Sequence, residues 1–82
     1  MSKPLYHHLL IVRDWEILHN QLLATHEEIE PALRLFATEW QEYMNWSASV
    51  LEEILSAKDL SELRDGLEDN DMSVYVDTLE AP

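Results

Sequence analysis

Residues 4–24 read PLYHHLLIVRDWEILHNQLLA, and the period assigned to this stretch decides the fold class of the whole chain. Ile11, Trp15, Leu18 and Leu22 recur at alternating spacings of four and three, which is one stripe of a helix. Leu5, Leu9 and Val12 widen that stripe. Pro4 suits a first helical turn, where its missing N–H would have no partner in any case. The spacing therefore predicts a helix from Pro4 to about Ala24.

Downstream, Thr25-His26-Glu27-Glu28 has the form of a capping box, but Pro31 is awkward inside a helix that starts at Thr25. The preferred reading is a loop from Thr25 to Glu30, with Pro31 at the first position of a second helix. Leu33, Phe36, Trp40, Tyr43, Ser47, Val50 and Ile54 continue the four-three alternation and carry this helix to about Ser56. A break at Asn45-Trp46-Ser47 is the alternative, since Ser49 and Glu52 can form a capping box of their own. Asp59 and Glu62 make a further capping pair, which marks a break near Ala57-Lys58 and a short third helix with Leu60, Leu63 and Leu67. Gly66 lies near its expected end. Glu68-Asp69-Asn70-Asp71 is a solvated acidic stretch, and Ser73 to Leu79 alternates weakly, a pattern open to a strand, a docked arm or a disordered tail.

Composition supports the helical reading. One Gly and three Pro in 82 residues leave little material for the tight turns of a sheet protein. A hydrophobic share of 46% with three Trp is enough for a core, although a domain this small buries a modest share of its surface. Cysteine is absent, so disulfides, zinc-thiolate sites and thiol nucleophiles are excluded. The longest apolar run, Leu9 to Val12, falls well short of the roughly 20 residues that span a bilayer, and no secretory pattern opens the chain. A cytoplasmic protein is expected. The fold class that follows is all-α: a small helical bundle made of a long hairpin (residues 4–56) and a short third helix, with dimerisation as an option for completing it. One domain (1–70) and an acidic tail or docked arm (71–82) describe the organisation.

Charge narrows the function. The formal net charge is −12, and residues 27–82 carry all of it, with fifteen acids against Arg34, Lys58 and Arg64. Such a field repels nucleic acid and anionic membranes and attracts basic protein surfaces. Glu52, Glu53, Asp59, Glu62, Asp65, Glu68, Asp69 and Asp71 are the candidate partner-binding residues. Carboxylates recurring about 5–6 Å apart on a helix also suggest an imitation of phosphates. Trp40, Tyr43 and Trp46, at three-residue intervals, suit a core ridge, with Trp46 as a candidate anchor.

Catalysis finds little support. No serine sits in a Gly-rich elbow, and phosphate-cradling loops are missing. Glu16 and His19 have the E-x-x-H spacing of carboxylate-bridged metal bundles, but a site would need a second copy of the motif from a dimer partner. His26 with Glu30 and the adjacent His7-His8 are weaker still as ligand pairs. No cofactor or metal is expected. The stretch from Trp40 to Leu63, with its amphipathic helix, the Ala57-Lys58-Asp59 junction and Leu60-Ser61-Glu62-Leu63 after it, resembles the phasins that coat polyester storage granules. The resemblance covers less than a third of the chain and implies a surface-coating amphipathic protein as one alternative. A metal-binding helical dimer using Glu16 and His19 is another. The leading expectation is a non-enzymatic acidic interaction protein (inhibitor, neutraliser or adaptor) that docks on a basic partner surface, in its sharper form as a nucleic-acid mimic blocking a DNA- or RNA-binding machine.

Overall fold

The computed structural model of the chain describes residues 5–80. It overturns the all-α expectation. The order is β1 (Leu5–Arg13), β2 (Glu16–Leu23), a single 3-10 turn (His26–Glu28), α1 (Ile29–Trp40), α2 (Ala48–Leu55), α3 (Leu60–Glu68) and β3 (Ser73–Glu80). The strands form one antiparallel sheet in the order β2-β1-β3, and the fold is α+β. The expected helix start at Pro4 lies outside the described residues.

Residues 5–23 form a hairpin because their burial has period two, not 3.6. Leu9 and Ile11 are fully buried, whereas Leu10 and Val12 on the other face are only partly covered. The apparent helical stripe was a coincidence of spacing, since its members Trp15 and Leu22 are exposed. Tyr6, Ile11, Val12 and Ile17 also fit a pleated surface well.

The turn between the strands hid the hairpin. Arg13 stands opposite Glu16, leaving Asp14 and Trp15 as a two-residue loop with φ of 50° and 68°. Two left-handed central residues match the right-handed twist of the flanking strands, which is why such loops are usually Asn-Gly or Asp-Gly. Asp14 tolerates this region, but Trp15 has a Cβ that makes it costly, by about 1–2 kcal/mol. The scarcity of glycine therefore did not argue against a sheet. Non-glycine residues (Asp14, Trp15, Asn45 and Asp71) hold the left-handed turns among the described residues.

A second device masked the alternation. Ile11 pairs with His19 but Val12 pairs with Ile17, so Leu18 is an extra, bulged residue that packs against the core from β2. Beyond the bulge His19 and Leu23 share the face of Leu9 and Ile11, and β3 brings Val74 and Val76 to the same side. The three helices cover this face with Ile29, Leu33 and Phe36 of α1, Ile54 of α2, and Leu63 and Leu67 of α3.

The helix boundaries follow local chemistry. The Glu28 carboxylate accepts from the Ala24 and Thr25 N–H groups at 2.9 and 3.1 Å, so the 25–28 segment is a structured helix entry and not a plain loop. Pro31 falls in the first turn of α1, where an N–H has no intrahelical acceptor. The long second helix is broken: α1 ends at Trp40, Asn45 turns the chain at φ 58°, and Ser47 caps α2 by accepting from Val50 N–H at 3.2 Å. Asp59 caps α3 by accepting from Glu62 N–H at 2.9 Å, while the Glu62 carboxylate accepts from Lys58 N–H at 2.9 Å. Gly66 lies inside α3, beside the Ile54 backbone, and not at the helix end.

Trp15→Gly separates the two readings of residues 4–24. In a helix it would destabilise by about 1 kcal/mol; in this turn it is expected to stabilise by roughly 1 kcal/mol, because Trp15 is 101% exposed and loses no packing. Urea unfolding of the two proteins measures the sign.

Candidate functional site

Two surfaces emerge from this architecture, an acidic helical layer and the uncovered face of the sheet. Thirteen acids and three bases lie between residues 24 and 72, so nearly the whole net charge is concentrated in the helices and their connections.

Two of the three bases in this layer, Arg34 and Arg64, are engaged with the backbone, whereas the Lys58 side chain is exposed. Arg34 lies on α1 facing the α2–α3 connection, and its guanidinium donates to the carbonyls of Leu55 at 2.7 Å and Ala57 at 2.8 Å. The Leu55 carbonyl ends α2 and the Ala57 carbonyl lies just beyond its Ser56 cap, and a fixed cation is the natural complement of a helix C-terminus. The same guanidinium meets Glu30 at 2.8 Å, one turn away. Arg64 on α3 donates to the Val74 carbonyl at 3.0 Å and ties the helix to the edge strand β3. Ion pairs among the described residues are confined to Arg34–Glu30 and a long Arg13–Asp14 contact of 3.8 Å. The α2 and α3 carboxylates are consequently left facing water.

The eight candidate acids divide by what they do. Asp59 and Glu62 are a capping pair, and Asp71 occupies a left-handed turn position before β3, so local structure accounts for these three. Glu52 and Glu53 on α2, Asp65 and Glu68 on α3, and Asp69 just after it are exposed and have no such engagement. Asp65, Glu68 and Asp69 stand three and four residues apart and share one helix face. Trp46, the proposed anchor, is only partly exposed and packs against the core from the α1–α2 connection. Trp40 stacks on Phe36 at 5.2 Å and Tyr43 meets Trp40 edge-on at 4.8 Å, so this ridge is mostly internal, with Tyr43 at its exposed end.

The premises of the two alternative readings are corrected. Glu16 and His19 lie on a strand: the Leu18 bulge leaves them opposite Arg13 and Ile11, on one face of the sheet, but residues three apart along a strand are separated by about 10 Å and are not the adjacent pair that a helix would make of them. His19 Nε2 instead bonds the Gln21 side chain at 2.8 Å, and its ring packs against Phe36 at 5.3 Å. His7 and His8 point to opposite faces of β1, and His7 contacts His26 ring to ring at 5.6 Å. Among the described residues no group of three or more His, Asp and Glu side chains is placed to hold a metal ion. The phasin-like stretch is not one amphipathic helix either, since it contains the end of α1, all of α2, the start of α3 and two breaks.

The second surface was missed. Opposite the core face, the sheet presents Tyr6 across from Leu79, Leu10 across from Tyr75, and Val12 across from Ile17, with Leu22 alongside. Most of these are among the exposed large hydrophobics of the chain. The signal was present in Leu9 to Val12, because four consecutive apolar residues in a strand put apolar side chains on both faces of the sheet. No helix of the described residues is long and apolar enough to cross a membrane.

The split among the acids is measurable in unfolding. Asp59→Ala is expected to cost about 1 kcal/mol through the lost cap, whereas Asp65→Asn with Glu68→Gln should shift stability by no more than about 0.5 kcal/mol. Equal losses in urea melts would contradict the division. Comparison of the chain with protein-family models, with curated proteins and with solved structures gives no match.

Proposed function

We propose that the protein is a non-enzymatic, cytoplasmic interaction protein whose acidic helical layer docks on a basic surface of a partner protein as an inhibitor, neutraliser or adaptor. The observation that supports this reading most is the commitment of Arg34 and Arg64 to backbone carbonyls, with Glu52, Glu53, Asp65, Glu68 and Asp69 in no ion pair among the described residues. A charge pattern of this kind steers encounter and makes association fast and salt-sensitive. Carboxylates already paired at home would have to break those contacts before meeting a partner; these five do not.

The sharper form of the proposal is a partner whose basic surface otherwise receives nucleic acid. Asp65, Glu68 and Asp69 along one face of α3, with Glu52 and Glu53 on the neighbouring helix, supply repeated negative charge of the kind that such a surface binds. Direct nucleic-acid binding by this chain is disfavoured by the same charge.

An affinity pull-down tests the reading. Wild type and a variant with Glu52→Gln, Glu53→Gln, Asp65→Asn, Glu68→Gln and Asp69→Asn are compared at low and high salt. The expected outcome is a protein retained by wild type at low salt, released at high salt and not captured by the variant. Equal capture by both forms would make the carboxylates a solvated face and sink the proposal. If a retained protein binds nucleic acid, added wild-type chain should displace that nucleic acid.

A further inference from the structure

The geometry points to the uncovered face of the sheet as the interface of a homodimer, in which two copies pack sheet against sheet and carry their helical layers outward.

The first observation is coverage. All three helices lie on the Leu9–Ile11–Val74 side, yet the reverse side holds Leu10, Tyr75, Ile17 and Leu22 in adjoining register positions. A sheet exposed on one side ordinarily turns mostly polar residues to water; here Leu10, Val12, Ile17, Leu22 and Tyr75 outnumber the polar His8, Asn20, Ser73 and Asp77 on that face. Polar groups within the patch are partly satisfied at home: His8 Nε2 is hydrogen-bonded to Asn20 Oδ1 on the neighbouring strand. Burial there does not leave those two side chains orphaned.

Charge selects the occupant. Asp77 is the one carboxylate among the residues whose register places them on this face, against thirteen acids in residues 24–72. A basic partner would be drawn to the helical layer, and an anionic lipid surface would be repelled by the chain's net charge of −12. A second copy brings an apolar, nearly neutral face of the same kind. Sheets pack about 10 Å apart, with strand directions about 30° off parallel, and each copy's helices lie beyond its own sheet. The acidic layers are then several Debye lengths of about 8 Å apart, so their repulsion is largely screened.

The area available is enough for a small specific interface. Three strands about 4.8 Å apart and eight residues long at about 3.3 Å each give roughly 380 Å² in plan per copy. Side-chain relief raises the buried accessible area towards about 1,000 Å² for the pair, the low end for a specific interface.

The test is sedimentation velocity of the full chain loaded at about 200 µM, a concentration chosen to populate an interface at the small end of the specific range, in about 50 and about 500 mM salt. Wild type is expected at twice the chain mass of 9.6 kDa, with more dimer at high salt as repulsion is screened. The salt response is opposite to that expected for binding through the acidic layer. Leu22→Lys with Tyr75→Lys should sediment as monomer with an unchanged far-UV spectrum, and Leu22→Lys alone serves if the double variant does not fold. Glu52→Gln with Glu53→Gln should remain dimeric. A wild-type monomer at both salts, a dimer that survives folded Leu22→Lys with Tyr75→Lys, or co-flotation of wild type with phosphatidylcholine vesicles would overturn the proposal.

Discussion

The pairing of β1 with β3 is the contact on which the remainder of the fold depends. It joins Ile11 to Val74 and Leu9 to Val76 across some sixty residues of intervening chain, which must therefore return to the place it left. Closing a loop of that length costs on the order of 4 kcal/mol in chain entropy, before any constant term. Leu9, Ile11 and Val74 are buried by that closure, at about 1.5–3 kcal/mol each, and offset it. Once both ends are fixed in one sheet, the three intervening helices have a single apolar surface to pack on. Their own apolar stripes, Leu33 and Phe36 on α1 and Leu63 and Leu67 on α3, are turned towards it.

Inside the helical layer, backbone and charge are linked. The α2–α3 connection needs donors for its carbonyls, and Arg34 provides them from another helix; Arg64 does the same for the edge strand. In a chain with five basic residues, using two in this way changes the surface as much as the interior. The carboxylates on α2 and α3 owe their isolation to a structural need elsewhere. The acidity of the layer is thus a property of its architecture as well as of its composition.

Legibility in the sequence varied with the locality of the signal. Short-range chemistry was partly readable: the Asp59 and Glu62 capping pair and the break at Ala57-Lys58 correspond to features of the fold, whereas the break at Asn45 to Ser47 was only the alternative to an unbroken helix and its cap is Ser47, not Ser49. Ser73 to Leu79 carried enough alternation for a strand to be one of its readings, and it is β3. Residues 4–24 were misread for three physical reasons. The turn uses Asp14 and Trp15 where glycine would advertise it, the Leu18 bulge resets the period midway, and both faces of β1 are apolar, which erases the contrast that alternation depends on. For the candidate site, charge was visible but engagement was not. Asp59, Glu62 and Asp71 look like Asp65 and Glu68 until their hydrogen bonds and backbone angles are known.

The position of β3 in the chain bears on how the protein is made. Among the described elements it is the last to leave the ribosome, and it is the outer neighbour of the central strand. Until residues 73–80 emerge, β1 has a bare edge, and the helices have only a two-stranded ribbon to settle on, an arrangement that is marginal in water. The domain therefore cannot be assembled progressively from its first residues. Before β3 is made, the β1 edge and the apolar residues beside it are open to misplaced pairing with other nascent chains.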